Sequence, residues 1–358
     1  MLTPKQSDAT LRSFLMRGIR LRGVRDCGRA EDGVGVLARV RRRVSARSFG
    51  VLLLCLQMGG AAGFCQQGTE TTSIQLQDAR ALAVEGKLPQ AEAVLRKVLQ
   101  SDSSSADAHF LLGYVYFREQ KAKKSLAEFT AGARTRRPGV SDLRIVASDY
   151  VLLNDDSDAA KWFGVVVSEE KDNPNDWYFL GRAQYGENRF EQAIASFKKV
   201  LALRPHDERA ENNLGLAWQG LNEVEKAKQA FHNAIAWQGE HPQDAQPFLN
   251  LGILLINSGK PKEAQGYLKT AVGLAPQNPK IREQLARIYI SQNKYAQAQS
   301  ELEAAIAKAP KAAGLHFELG RVYFHEGLHD RAQKQFKICA QLNGSHGAEA
   351  TPNPYTPK

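Results

Sequence analysis

The sequence predicts an all-α protein, an α-solenoid of about eight tandem helix-turn-helix units. Three observations lead there. A pattern of small and large apolar residues recurs at a near-constant spacing of 34 residues through most of the chain. Within each recurrence, as in Leu180, Ala183, Ala193, Phe197, Val200 and Leu201, apolar residues fall three and four apart, which is helix spacing rather than strand alternation. Polar breaks such as Tyr185-Gly186-Glu187-Asn188-Arg189 and Asn257-Ser258-Gly259-Lys260-Pro261 divide each unit into two helices.

The units can be followed in order. An apolar residue followed by a small one stands at Leu112-Gly113, Val146-Ala147, Leu180-Gly181, Leu214-Gly215, Leu251-Gly252, Leu285-Ala286 and Leu319-Gly320. The small residues are 34 apart except between Gly215 and Gly252, where the spacing is 37 and an insertion lies around Gly239-Glu240-His241-Pro242. Twelve residues after each comes a second small residue: Ser125, Ala159, Ala193, Ala227, Ala264, Ala298 and Ala332. Four further on is a large one: Phe129, Phe163, Phe197, Phe231, Leu268, Leu302 and Phe336. Pro205, Pro276 and Pro310 close three units, since proline cannot continue a helix, and Pro138 sits one place late. An earlier, weaker unit fits the frame with Ala79, Leu82, Ala91 and Leu95, although Asp78 stands where an aliphatic residue is expected. Small residues on both helices imply close antiparallel packing. One such pair cannot bury its apolar face alone, so the units must stack.

The remainder of the chain is read by composition. Its 358 residues carry 48 Lys and Arg against 38 Asp and Glu, a net +10. Residues 1–50 hold 12 of the basic and four of the acidic groups, so +8 is local and the other 308 residues carry +2. The basic stretch ends in Arg39, Arg41, Arg42, Arg43 and Arg47 and runs into the apolar Val51–Leu56 and the small residues Gly59–Gly63. Positive, then apolar, then small is the order of a secretory signal peptide, with cleavage expected after Gly63 or Cys65. The apolar run is shorter than the roughly 20 residues of a membrane span. The basic part is longer than an ordinary leader, which a start at Met16 or further downstream would explain. The domain reading is therefore 1–65 leader, 66–71 linker, 72–346 repeat array and 347–358 disordered tail. The expected address is periplasmic or secreted, the alternatives being a membrane anchor at 51–65 or a cytoplasmic protein.

The unit Pro174-Asn175-Asp176-Trp177-Tyr178-Phe179-Leu180-Gly181, continued by Ala193, Phe197 and Pro205, resembles the tetratricopeptide repeat family, and the likeness covers about residues 72–346. Counting Pro174 as position 1 places Trp177 at 4, Gly181 at 8, Ala193 at 20 and Phe197 at 24. The resemblance implies a right-handed superhelix whose first helices line a concave surface through positions 2, 5, 6, 9, 12 and 13. Carried over, these give Phe110, Tyr114 and Phe117 in the second unit and Tyr178, Arg182 and Tyr185 in the fourth. They give Asn212 and Asn213 in the fifth, Asn250 in the sixth, Lys280 and Arg287 in the seventh, and Phe317, Arg321 and Phe324 in the eighth. Rings, arginines and amides suit an extended peptide, because amides pair its backbone and rings take its side chains. The alternative for each ring is packing between units. The lysine and asparagine clamp by which some family members grip a C-terminal carboxylate is not found in three consecutive units, and an asparagine ladder at position 6 has two rungs, Asn213 and Asn250.

No catalytic, cofactor or metal site is expected. His325-Glu326-Gly327-Leu328-His329 matches a zinc-hydrolase motif, but its residues take positions 13 to 17, where Gly327 interrupts the helix that the motif requires. Gly33-Val34-Gly35 lies in the leader with no strand before it. Cys339 occupies a helix-packing position and reads as an inert buried thiol. The functional expectation is a non-catalytic scaffold for a protein or peptide partner, in assembly of a bacterial envelope complex. A cytoplasmic or anchored adaptor is the alternative. A nucleic-acid-binding repeat ranks lower, for want of a basic stripe in the array.

Overall fold

A computed structural model describes residues 60–344. Residues 1–59 of the leader, the last two residues of the array at 345–346 and the tail at 347–358 lie outside the described residues. Sixteen helices and no strand are found among those described. They are α1 (Gly60–Val84), α2 (Leu88–Ser101), α3 (Ala106–Arg118), α4 (Ala122–Ala133), α5 (Val140–Leu152), α6 (Asp156–Glu169), α7 (Pro174–Gly186) and α8 (Phe190–Leu203). The chain continues through α9 (Glu208–Gly220), α10 (Val224–Ala236), α11 (Gln246–Asn257), α12 (Pro261–Leu274), α13 (Pro279–Ser291), α14 (Tyr295–Lys308), α15 (Ala313–His325) and α16 (His329–Gly344). They fall into two compact bodies. One ends at Glu169 and holds three helix pairs; the other begins at Glu170 and holds five. The backbone of α1 is helical through residues 66–71, the stretch read from the sequence as a linker, and through the candidate cleavage points.

The register agrees with the sequence frame to the residue. From the second repeat on, first helices begin at position 1, or at position 2 in the sixth repeat, and every second helix begins at position 17. Each repeat uses the same chemistry to start and stop. Ser105, Asn173, Asp207 and Asn278 each precede a first helix and accept a backbone N–H of its first turn, satisfying a donor that the helix cannot. At the other end position 15 is left-handed in all eight repeats, with φ between 55° and 79°. Glycine occupies it in three repeats, asparagine in four and Gln120 in the second. That reversal lets the N–H of position 16 reach the carbonyl of position 11, as from Lys121 to Tyr116 at 2.8 Å or Leu328 to Tyr323 at 2.9 Å, and the first helix ends there.

The small and large positions meet inside each pair. A Cβ on Gly113, Gly181, Gly215 or Gly320 would lie 2.5–2.8 Å from the Phe129, Phe197, Phe231 or Phe336 ring, and Gly252 stands in the same relation to Leu268 at 2.7 Å. Phe129, Phe163, Phe197 and Phe231 have no exposed surface, so these rings cannot swing away. Gly181→Val should therefore cost about 2 kcal/mol by overpacking. Urea unfolding of Gly181→Val, Phe197→Ala and the double variant checks this. The double loss should be smaller than the sum of the singles, because the cavity left by the ring admits the added methyls.

Candidate functional site

Before any groove can be assigned, the loops that set one repeat against the next must be accounted for. Position 4 does this with unrelated side chains. His109 Nε2, Trp177 Nε1, Arg282 Nε and His316 Nε2 each bond a loop carbonyl six residues earlier, those of Ser103, Lys171, Pro276 and Pro310, at 2.8–3.1 Å. Three of them also reach position 23 on the second helix: His109 to Glu128 at 2.7 Å, Arg282 to Glu301 at 2.6 Å and His316 to Gln335 at 2.7 Å. The inter-repeat loop is thereby tied to the body of the repeat that follows it. Only N–H geometry is common to these side chains, so residue identity did not disclose the role.

In the first body, Phe110 and Tyr114 of α3 are engaged within their own repeat. Phe110 is buried, stacks on Phe129 with centroids 5.9 Å apart, and has the Arg136 guanidinium 5.2 Å from its ring centre. It therefore belongs with the packing alternative. Tyr114 and Phe117 are half-buried, and Arg118 both lies over the Tyr114 ring and donates to its hydroxyl at 2.6 Å.

The second body brings its candidates into three groups along the first helices. Tyr178, Arg182 and Tyr185 follow one another along α7 and share a face. Tyr178 is half-buried; Asn213 donates to its hydroxyl at 3.2 Å and to the Arg209 carbonyl at 2.7 Å, while Arg209 lies over its ring at 5.4 Å. Tyr185 tilts against Phe190. Arg182 is exposed and meets no carboxylate among the described residues. In the next group Asn250 donates to Asn212 Oδ1 at 2.9 Å and accepts from Gln246 at 3.0 Å, and both asparagines are buried. Asn250 is thus consumed in joining repeats five and six and offers little to a ligand backbone.

The third group is ionic. Arg287 pairs with Glu283 at 2.8 Å and reaches Glu318 at 3.7 Å, while Arg321 pairs with Glu318 at 3.0 Å. Phe317 tilts against Phe336, and Phe324, 42% exposed, meets His325 and His329 edge-on. Glu283, Gln284 and Glu318 were missed as candidates although positions 5 and 6 of the same frame point to them. With Gln284 and Glu318 buried beside Asn250, position 6 is polar from the fifth repeat to the eighth. Between the tyrosine and ionic groups, positions 9 and 12 hold the half-buried Leu216, Ile253, Ile256 and Ile290.

The zinc-hydrolase motif is divided between two helices. His325 ends α15, stacked flat on Tyr295 at 5.1 Å, and His329 starts α16, with Gly327 left-handed between them. Among the described residues no group of His, Cys, Asp or Glu is arranged to hold a metal ion, and no helix is long and apolar enough to cross a membrane. Cys339 is half-buried rather than buried, because α16 is the last described helix and nothing described packs on its outer face; burial still pushes the thiol above its usual range.

Comparison with known proteins agrees with this geometry. Family models described as tetratricopeptide repeat match residues 76–140, 174–207, 255–313 and 290–337. The chain is 27% identical over 182 residues to the protein O-mannosyl-transferase TMTC1 of Homo sapiens, which covers 49% of this chain and 20% of that one. It is 25% identical over 221 residues to the peroxisomal targeting signal receptor of Eremothecium gossypii, covering 52% of this chain and 38% of the receptor. The chain thus spans well under half the length of either relative. A tetratricopeptide repeat protein from Parabacteroides merdae superposes with a TM-score of 0.55 at 15% identity, over 75% of this chain and 99% of that one, which supports the fold.

The buried amide pair gives a test. Asn250→Ala strands the Asn212 oxygen and should cost about 1–3 kcal/mol, whereas Asn212→Leu with Asn250→Leu should cost less than the two single leucine changes added together. Urea unfolding of the four variants decides it.

Proposed function

Because the chain belongs to the tetratricopeptide repeat family, we propose that it is a non-catalytic scaffold that takes an extended segment of a partner protein on the concave face of α7, α9, α11, α13 and α15. Proteins of this family mediate protein–protein interaction. The observation that carries the reading here is an uneven lane. At one end are Tyr178, Tyr185 and the unpaired Arg182; half-buried aliphatics follow; at the other end Arg287 and Arg321 are neutralised by Glu283 and Glu318. Such a lane favours a segment with an acidic residue near α7 and aliphatic residues beyond it.

The setting we propose is assembly or organisation of a bacterial envelope complex, after export. Support for it comes from the leader: its positive, apolar and small residues in order, and the nearly neutral remainder.

A photo-activated cross-linking residue placed at Tyr185 should trap a partner protein in cells, while the same residue at Lys199, exposed on α8, should not. Adding Arg182→Glu should lower the yield at Tyr185 by about tenfold, the order expected when an attractive charge becomes a repulsive one. Equal trapping at both positions would overturn the groove assignment. Separately, sequencing the mature N-terminus from fractionated cells should give a first residue near Gln66; an intact Met1 in the cytosol would exclude export.

A further inference from the structure

One buried acid serves none of the roles above. Position 10 of the first helix is a buried aliphatic residue in repeats two and four to eight: Val115, Ala183, Ala217, Leu254, Ile288 and Val322. In the third repeat it is Asp149, which has no exposed surface and whose two carboxyl oxygens lack any well-formed hydrogen bond. Position 20 is alanine in every repeat except the second, where it is Ser125, also without exposed surface. The two exceptions are neighbours. Ser125 on α4 lies within reach of the Asp149 carboxyl on α5, across the joint between the second and third repeats, and donates its proton to the Gly113 carbonyl of α3 at 2.9 Å. A hydroxyl has one proton to give.

We propose that Asp149 and Ser125 make the joint between repeats two and three a proton-gated hinge, closed when the carboxyl is neutral and loosened when it is ionised. A neutral Asp149 can donate its O–H to the Ser125 oxygen while Ser125 continues to donate to Gly113, so both protons in the row are placed and no charge is buried. An ionised Asp149 can only accept. Ser125 must then abandon Gly113 or leave the carboxylate unpaired, in either case with a charge buried at a joint that the other repeats build from aliphatic residues. Burial, which raises the carboxyl to about 7, outweighs the Ser125 hydroxyl, which lowers it.

The direction follows. Between the ordinary carboxylate range and about 7 the unfolded chain has released this proton and the folded chain has kept it, so stability falls as pH rises through that window and levels off above it. Repeats contact only their neighbours, so the effect is confined to this joint rather than spread over the array.

Hydrogen exchange of the full chain, corrected for intrinsic rates, reads the hinge directly at about pH 5.5 and about pH 8.5. Protection over residues 106–152 should fall at least about tenfold at the higher pH relative to residues 246–325, and Asp149→Asn, which keeps the donor and removes the charge, should show equal protection at both. Equal protection of the unaltered protein at the two pH values, or a fall retained in Asp149→Asn, would overturn the proposal. Should Asp149→Asn not fold, the carboxyl of the unaltered protein, followed by carbon-detected NMR, decides. A midpoint near 7 supports the hinge, and one in the ordinary carboxylate range removes it.

Discussion

The close approach of position 8 to position 24 is the constraint on which the rest depends. Where Gly113, Gly181, Gly215 and Gly320 face a phenylalanine ring, the missing Cβ is the space that the ring occupies. This fixes how near the two helices of a repeat can lie. It also explains why alanine at position 8, as in Ala79 and Ala286, goes with the smaller Leu95 and Leu302 at position 24. Ala147 opposite Phe163 departs from the rule, and it belongs to the same repeat that carries the buried Asp149. With the pair spacing set, the left-handed residue at position 15 and the bond from position 16 back to position 11 decide where the first helix must stop. The second helix then starts at position 17 in every repeat.

Stacking is a separate problem, solved with polar groups. The N–H groups of His109, Trp177, Arg282 and His316 hold loop carbonyls six residues earlier, and in three of the four the link to position 23 makes the loop part of the next repeat. The same economy runs along the first helices, where Asn213 on Tyr178 and Asn250 on Asn212 join successive repeats of the second body. A groove residue can therefore be structural. What distinguishes a residue available to a ligand is that its polar groups are unspent, as with Arg182, and not that its position lies on the concave side.

The frame was legible in the sequence because everything it needs is local. Helix spacing, the small residues twelve apart and the left-handed turn are each written within one unit of 34 residues, and seven or eight copies make each reading independent of any single lapse. Cys339 read as buried because position 27 is buried elsewhere; that inference fails at the last described helix, which has no described repeat beyond it. Phe110 read as a groove ring because the resemblance places position 5 on the concave face, but Gly132 leaves a space beside it that the ring fills.

By itself, then, the sequence determined the helix pairs, their register and the family, since these follow from spacing and residue size. Only the tertiary structure decided which polar side chains are satisfied. Asn212 and Asn250 are 38 residues apart, Tyr178 and Asn213 are 35 apart, and Arg287 meets Glu318 across two repeats. Such pairs depend on rotamers and on distances of a few ångströms between neighbouring helices, quantities that a repeating sequence pattern does not contain. The same holds for Asp149, whose isolation in the joint between two repeats is set by what packs around it and not by its neighbours in the chain.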